Sequence, residues 1–292
     1  MSRLAGSGCE IIIPELERKT NLEIERSLVK KFNKVTWSPF IRAIKEFEMI
    51  KDGDKVAVGI SGGKDSLLLA KLLQELQKHK KKDFTLEFIS MDPGFHPTNR
   101  QLLEDLCSHL EIPVKIFKND LFEVVEKISD QYPCYLCARM RRGALYQFAQ
   151  NSGCNKLALG HHMDDVVETI MMNVLCAGTY MTMMPRIKST NFENMELIRP
   201  LYYVREDNIK KFSRYAGLAP MNCGCAVAAK KTSSKRSEVK ELIKSLSGQF
   251  QDVEKSILQS AKNVHIDAII EYKDKNGRHN FLERFKDAGR QE

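Results

Sequence analysis

No apolar run in these 292 residues approaches the roughly twenty that a bilayer-crossing helix needs. The N-terminus, Met1-Ser2-Arg3-Leu4-Ala5-Gly6-Ser7-Gly8-Cys9, lacks a secretory apolar region, so the expected compartment is the cytoplasm, with no membrane partner. No internal repeat is visible. Acidic residues are in deficit: 38 Asp and Glu stand against 46 Lys and Arg, a net charge of +8. That excess favours a polyanionic partner, nucleic acid first. Eight cysteines without an export signal argue against a disulfide framework and for metal binding or catalysis. With 42% hydrophobic and 29% charged residues the chain can bury a core, as one large α/β domain with additions or as two small domains.

The most informative stretch joins a strand to a helix. Val56-Ala57-Val58-Gly59-Ile60 reads as a buried strand, and Leu67 to Leu73 continues at helical spacing. Between them lies Ser61-Gly62-Gly63-Lys64-Asp65-Ser66. The two glycines permit a tight bend and close approach to a ligand. The free N–H groups of the first helical turn then face the bend, where the helix dipole favours an anion and Lys64 adds a cation. The arrangement suits a phosphate. It is not a Walker A loop, which places four residues between its first glycine and the Gly-Lys pair.

Alternation continues along the chain: strands at Thr85 to Asp92, Val114 to Phe117, Cys154 to His161 and Leu197 to Leu201, with helices between. A short helix is expected from Leu121 to Ile128. The fold class that follows is α/β, a parallel twisted sheet with helices on both faces. Residues 1–37 read as an N-terminal surface extension, 38–225 as the main domain, and 226–292 as a basic helical C-terminal region and tail. Asn276-Gly277 is a hairpin signal, but its weak flanks leave a tail equally open.

Cys134 and Cys137 have the spacing that aims two thiolates at one metal, and Cys223-Gly224-Cys225 forms a second cluster. Three chemistries fit: a structural zinc site using all four, a redox pair, or an iron–sulfur cluster held by three cysteines with one iron open to an exogenous sulfide.

Ser61 to Ser66 resembles the PP-loop of the ATP pyrophosphatases. With it, Cys134 through Gly143, Gly160-His161-His162-Met163-Asp164-Asp165, Arg199-Pro200-Leu201 and a later cysteine resemble, in that order, the tRNA 2-thiocytidine synthetase (TtcA-like) family over about residues 38 to 265. The resemblance implies an ATP-dependent tRNA sulfurtransferase. ATP adenylates the C2 carbonyl oxygen of an anticodon-loop cytidine, and sulfur delivered through a 4Fe-4S cluster replaces it. The cluster ligands implied are Cys134, Cys137 and Cys225, with Cys223 as the alternative third. The implied partners are tRNA, a sulfur donor such as a cysteine desulfurase or free sulfide, and a second copy of the chain.

Within that scheme Ser61, Gly62, Gly63, Lys64, Asp65 and Ser66 hold the phosphates, with Mg2+ neutralising the leaving charge. Asp92, Gly160 and His161 line the nucleotide pocket, and Asp92 also suits a turn cap. Lys64, Asp65, Asp164 and Arg141 are the expected catalytic groups, although acidic residues at a helix start also satisfy backbone donors. His162 reads as structural. RNA phosphates fall to Arg139, Arg142, Lys188, Lys210, Lys211, Arg214, Lys230, Lys231, Lys235 and Arg236. Rival readings are a 2-thiouridine synthetase, a lysidine-type ligase, which needs no cluster cysteines, and a zinc-stabilised RNA-binding protein.

Overall fold

A computed structural model describes residues 3–4, 11–12, 17–92, 95–118, 133–221 and 235–288, with backbone alone at 3–4, 11–12, 133–138 and 286–288. Two short strands, β1 (Arg3–Leu4) and β2 (Ile11–Ile12), pair antiparallel. Helix α1 (Asn21–Val29) starts at a reciprocal capping box, in which the Thr20 hydroxyl accepts from Glu23 N–H and the Glu23 carboxylate accepts from Thr20 N–H. Its Ile24 and Leu28 are fully buried. The expected surface extension is therefore, from residue 21 on, part of the core. Helix α2 (Ser38–Glu46) follows, with Phe40, Ala43 and Ile44 inward.

Strand β3 (Asp54–Gly59) leads through the glycine turn into helix α3 (Lys64–Lys78). Nine residues of α3 are buried, among them Leu67, Leu68, Leu69, Leu72 and Leu73, because the helix packs between the sheet and the neighbouring helices. Lys71 is buried as well. Its ammonium donates to Glu25 of α1 at 2.8 Å and to the Leu110 carbonyl at 3.0 Å, and so pins α1 to α3. Then come β4 (Phe84–Asp92), α4 (Pro97–His109), β5 (Val114–Lys118), α5 (Pro133–Asn151), β6 (Lys156–Ala158) and α6 (Met163–Ala177). The helix expected at Leu121 to Ile128 lies outside the described residues.

The six-stranded sheet runs β5-β4-β3-β6-β8-β7, where β7 is Arg186–Lys188 and β8 is Glu196–Ile198. All neighbours are parallel except β7 against β8. The chain builds outward from β3 through β4 to β5, then returns to place β6 on the other side of β3. That reversal opens a crevice at the carboxyl ends of β3 and β6, where open α/β sheets take ligands. Edge strand β7 has no clear signature in the sequence; it is three residues long and two of them are cationic.

Helix α7 (Glu206–Tyr215) precedes two helices that pack on α6: α8 (Lys235–Ser247) and α9 (Val253–Ser260). A hairpin, β9 (Glu271–Asp274) and β10 (Gly277–Asn280), turns at Lys275-Asn276, which settles the choice between hairpin and tail. Helix α10 (Phe281–Ala288) ends the described chain. No helix among the described residues is long and apolar enough to cross a membrane.

Candidate nucleotide site

The crevice holds a cavity of about 410 Å³. Its floor is the turn after β3, with Ile60, Ser61, Asp65 and Ser66; its far wall is Leu159, Gly160 and His161 after β6; Arg141 and Leu145 come from α5, and Met91 and Phe95 from the end of β4. The apolar walls suit a flat base, and the polar floor suits a charged group.

The floor is built to leave donors free. Gly63 is the N-cap of α3 and no side chain caps that helix, so its first N–H groups have no intrahelical partner. Gly62 sits at φ +76°, a conformation L side chains rarely adopt. Its carbonyl accepts from Met221 N–H at 2.9 Å, and a Cβ there would collide with the Met221 sulfur. The Ser66 hydroxyl donates to the Gly63 carbonyl at 2.9 Å and accepts from Ser61 N–H at 3.2 Å, which fixes the turn. A Cβ on Gly160 would lie 3.1 Å from the Ser66 nitrogen, so only glycine lets the β6 turn come this close to the start of α3.

Lys64 lines not this cavity but a second one of about 350 Å³, bounded also by Asp65, Asp165, Glu168, Glu206, Arg236 and Lys240. Its ammonium lies 3.1 Å from both Asp65 and Glu206. Burial lowers the Lys64 pKa, but Asp65 and Glu206 outweigh it and leave the group raised and charged. Burial raises the Glu206 pKa; Lys240, Lys210 and Lys64 overcome that and hold the carboxyl far below its usual range. The Asp65 Oδ1 atom is buried and accepts no hydrogen bond. Such an oxygen beside a phosphate cradle fits a hard divalent cation.

The two acids at the start of α6 divide their work. Asp165 borders both cavities; it accepts from His162 N–H at 2.9 Å and from Arg236 at 2.6 Å. Asp164, the acid expected to be catalytic, lines neither. It instead accepts from Glu206 N–H at 2.7 Å and from Arg205 at 3.2 Å, holding the start of α7. Adjacent identical residues carry no sequence signal that separates them. His162 is the N-cap of α6, a structural place. Asp92 caps a turn, accepting from Phe95 N–H at 2.7 Å and from Arg100 at 3.1 Å; its neighbour Met91 reaches the cavity.

His161 lines the cavity with Nδ1 buried and without a hydrogen-bond partner. Burial first, and Arg199 next, push its pKa down to about 4, so the ring is neutral at physiological pH. Arg199 is itself 3% exposed and donates to the Met184 carbonyl; burial, then Arg142, lower it to about 10.

Cys134 and Cys137 fall in the first turns of α5, and Arg141 follows Cys137 by four residues, one further turn along that helix. Cys223, Cys225, Lys230 and Lys231 lie outside the described residues; Met221, bonded to the glycine turn, precedes Cys223 by two positions. Among the expected RNA contacts, Arg139, Arg142, Lys188, Lys211 and Arg214 are exposed. Arg236 is not a solvated cation: it pairs with Asp165 and Glu168 at 2.6 Å each. Lys210 pairs with Glu206, while Lys235 is exposed and pairs with Glu238 at the surface.

Comparison with known proteins agrees with this geometry. A PP-loop domain family, ATP_bind_3, matches residues 36–221. A tRNA-cytidine(32) 2-sulfurtransferase of Pelobacter propionicus is 37% identical over 227 residues, spanning 77% of this chain and 83% of that protein. One from Bdellovibrio bacteriovorus is 35% identical over 250 residues, 84% of this chain and 93% of that one. Among solved structures, the U34-tRNA thiolase NcsA from Methanococcus maripaludis with its 4Fe-4S cluster superimposes with a TM-score of 0.62 at 26% identity, over 77% of each chain.

Proposed function

The chain belongs to the PP-loop family of tRNA-cytidine(32) 2-sulfurtransferases, and we propose that it converts an anticodon-loop cytidine of tRNA to 2-thiocytidine at the expense of ATP. The observation that carries this reading is the placement of Arg141. It borders the same cavity as Ser61, Asp65 and Ser66, and it stands on the helix that bears Cys134 and Cys137. One crevice thus joins a phosphate cradle to the helix of the cysteine pair.

In the proposed reaction the cytidine O2 attacks the α-phosphorus of ATP and pyrophosphate leaves. Sulfide then adds at C2, and AMP departs with the original oxygen. The free N–H groups at the start of α3 hold the phosphates, and Lys64 meets the charge on the leaving pyrophosphate. Asp65 and Asp165 suit Mg2+. Ile60, Met91, Phe95 and Leu159 take the adenine, and Arg141 faces the reacting nucleotide. Cys134, Cys137 and Cys225, or Cys223 in its place, would hold a 4Fe-4S cluster, which when bound supplies an iron site for the incoming sulfur. Exposed Arg139, Arg142, Lys188, Lys211 and Arg214 provide phosphate contacts, and an unpaired loop base can be splayed out to reach the site.

A cytoplasmic, paired enzyme fed by a cysteine desulfurase or free sulfide completes the proposal. Exposed Val174, Leu175, Tyr180, Met181 and Met184 at the end of α6 offer an apolar surface for a second copy. The decisive experiment is nucleoside mass spectrometry of tRNA from a deletion strain. Loss of 2-thiocytidine is expected; loss of 2-thiouridine instead would move the target to uridine. Iron and sulfide in anaerobically purified protein support sulfur transfer, and stoichiometric zinc would overturn it.

A further inference from the structure

The geometry points to Glu206 as the positioning residue of the phosphate-binding lysine, with Lys240 and Lys210 as the groups that take over its charge when nucleotide arrives. One carboxylate here answers three ammonium groups. Its Oε1 lies 3.1 Å from Lys64, and its Oε2 lies 2.6 Å from Lys240 and 3.0 Å from Lys210. The carboxylate is held in place: Glu206 is 8% exposed and its backbone N–H donates to Asp164 at 2.7 Å. The three ammoniums come from α3, α7 and α8, so this one side chain ties α8 to the start of α3, beside the Arg236–Asp165 pair that ties α8 to α6.

In this arrangement Lys64 lines the second cavity and not the first, whose floor is Ser61, Asp65 and Ser66. A phosphate on that floor draws Lys64 off Glu206. A carboxylate left bare beside the phosphates would repel them, since like charges a few ångströms apart in a half-buried site cost more than in water. Lys240 and Lys210 remain on Oε2 and prevent that. Glu206 therefore holds Lys64 until a phosphate draws it away, and the other two lysines lower the cost of letting it go.

This inference rests on the nucleotide reading above, and it fixes opposite signs for two substitutions. Calorimetric titration of the full chain with α,β-methylene-ATP is the test. Glu206→Gln removes the competing charge and should tighten binding roughly threefold to tenfold. AMP formation with ATP and tRNA should nevertheless slow about tenfold in kcat, because Lys64 loses its fixed starting place. Lys240→Met leaves Glu206 less neutralised and should weaken binding by roughly threefold. Lys210→Met should shift it the same way. A purely structural ion-pair cluster would make all three variants weaker binders, or leave all three unchanged; either result overturns the assignment. Absence of binding to the unaltered protein would instead sink the nucleotide site itself and this inference with it.

Discussion

The amide of Met221 donates to the carbonyl of Gly62 across 2.9 Å, so the residue two positions before Cys223 sits on the glycine turn and lines the same cavity. That hydrogen bond ties the end of the stretch after α7 to the nucleotide floor. The helix of the cysteine pair and the lead-in to the later cysteines thus meet at one crevice.

Removal of iron by chelation should separate the two halves of the reaction. Thiolation should cease, while the affinity for α,β-methylene-ATP stays within about twofold, because Ser61, Asp65 and Ser66 form the cavity floor. Cys134→Ser and Cys137→Ser should each lose iron on anaerobic purification. Comparing Cys223→Ser with Cys225→Ser identifies the third ligand by the same measurement, and Cys225→Ser is expected to be the one that loses iron.

Gly160→Ala tests the close approach of the two turns. The added methyl would stand 3.1 Å from the Ser66 nitrogen and from the Asp65 carbonyl carbon, and backbone on both sides leaves little room to yield. Overpacking of this kind costs about 1–3 kcal/mol. A lower midpoint in urea denaturation and weaker nucleotide binding should appear together.

Asp164→Asn and Asp165→Asn should separate structure from function. The Asp164 change weakens the bonds to Arg205 and Glu206 N–H and should cost about 1–2 kcal/mol of stability. The Asp165 change alters the wall shared by both cavities and should slow AMP formation by about tenfold or more, a barrier increase of about 1.4 kcal/mol. The pairing of urea melts with rates decides between them.

Acid should act through Glu196 in a defined window. Arg186 first, and Lys156 after burial is counted, hold its carboxyl down to about 2. A folded-state pKa below the unfolded one gives stability that is present above the unfolded value of 4.5 and is lost as pH falls toward 2. Glu196→Gln leaves Lys156, 3% exposed, with Asp54 at 3.5 Å as its remaining counter-charge and should cost about 1–2 kcal/mol near pH 7. The gap from the unaltered protein should close as urea melts are repeated from pH 4.5 downward.

His161 should carry no proton through the physiological range. With its pKa near 4 in the fold, its neutral-state stability is complete above the unfolded value of 6.5 and declines as pH falls from there toward 4. Imidazole nitrogen shifts should report a neutral ring at pH 6; a charged ring there would contradict the burial seen in the structure.

Much of this is readable from residues alone. Val56 to Ile60 followed by Ser61 to Ser66 gives strand, turn and helix because apolar runs and paired glycines act locally. That Asp165 and not Asp164 borders the cavities is not readable, since it depends on how α6 is rotated against α7 and α8. The docking of α8, though not its helicity, is hidden for a related reason: only Val239 and Ile243 are buried in it, and its cations look solvated until the fold brings Glu168 and Glu206 to meet them. Burial of α1 is hidden too, because Lys71 reads as a surface residue until Glu25 is placed beside it.

The Lys71–Glu25 joint sets how short a working version of this protein can be made. A chain cut back to the matched residues 36–221 would lose Ile24 and Leu28 from the core and strand an ammonium inside α3. Such a fragment should stick to itself on refolding, even though it retains the glycine turn and the helix that bears Cys134 and Cys137.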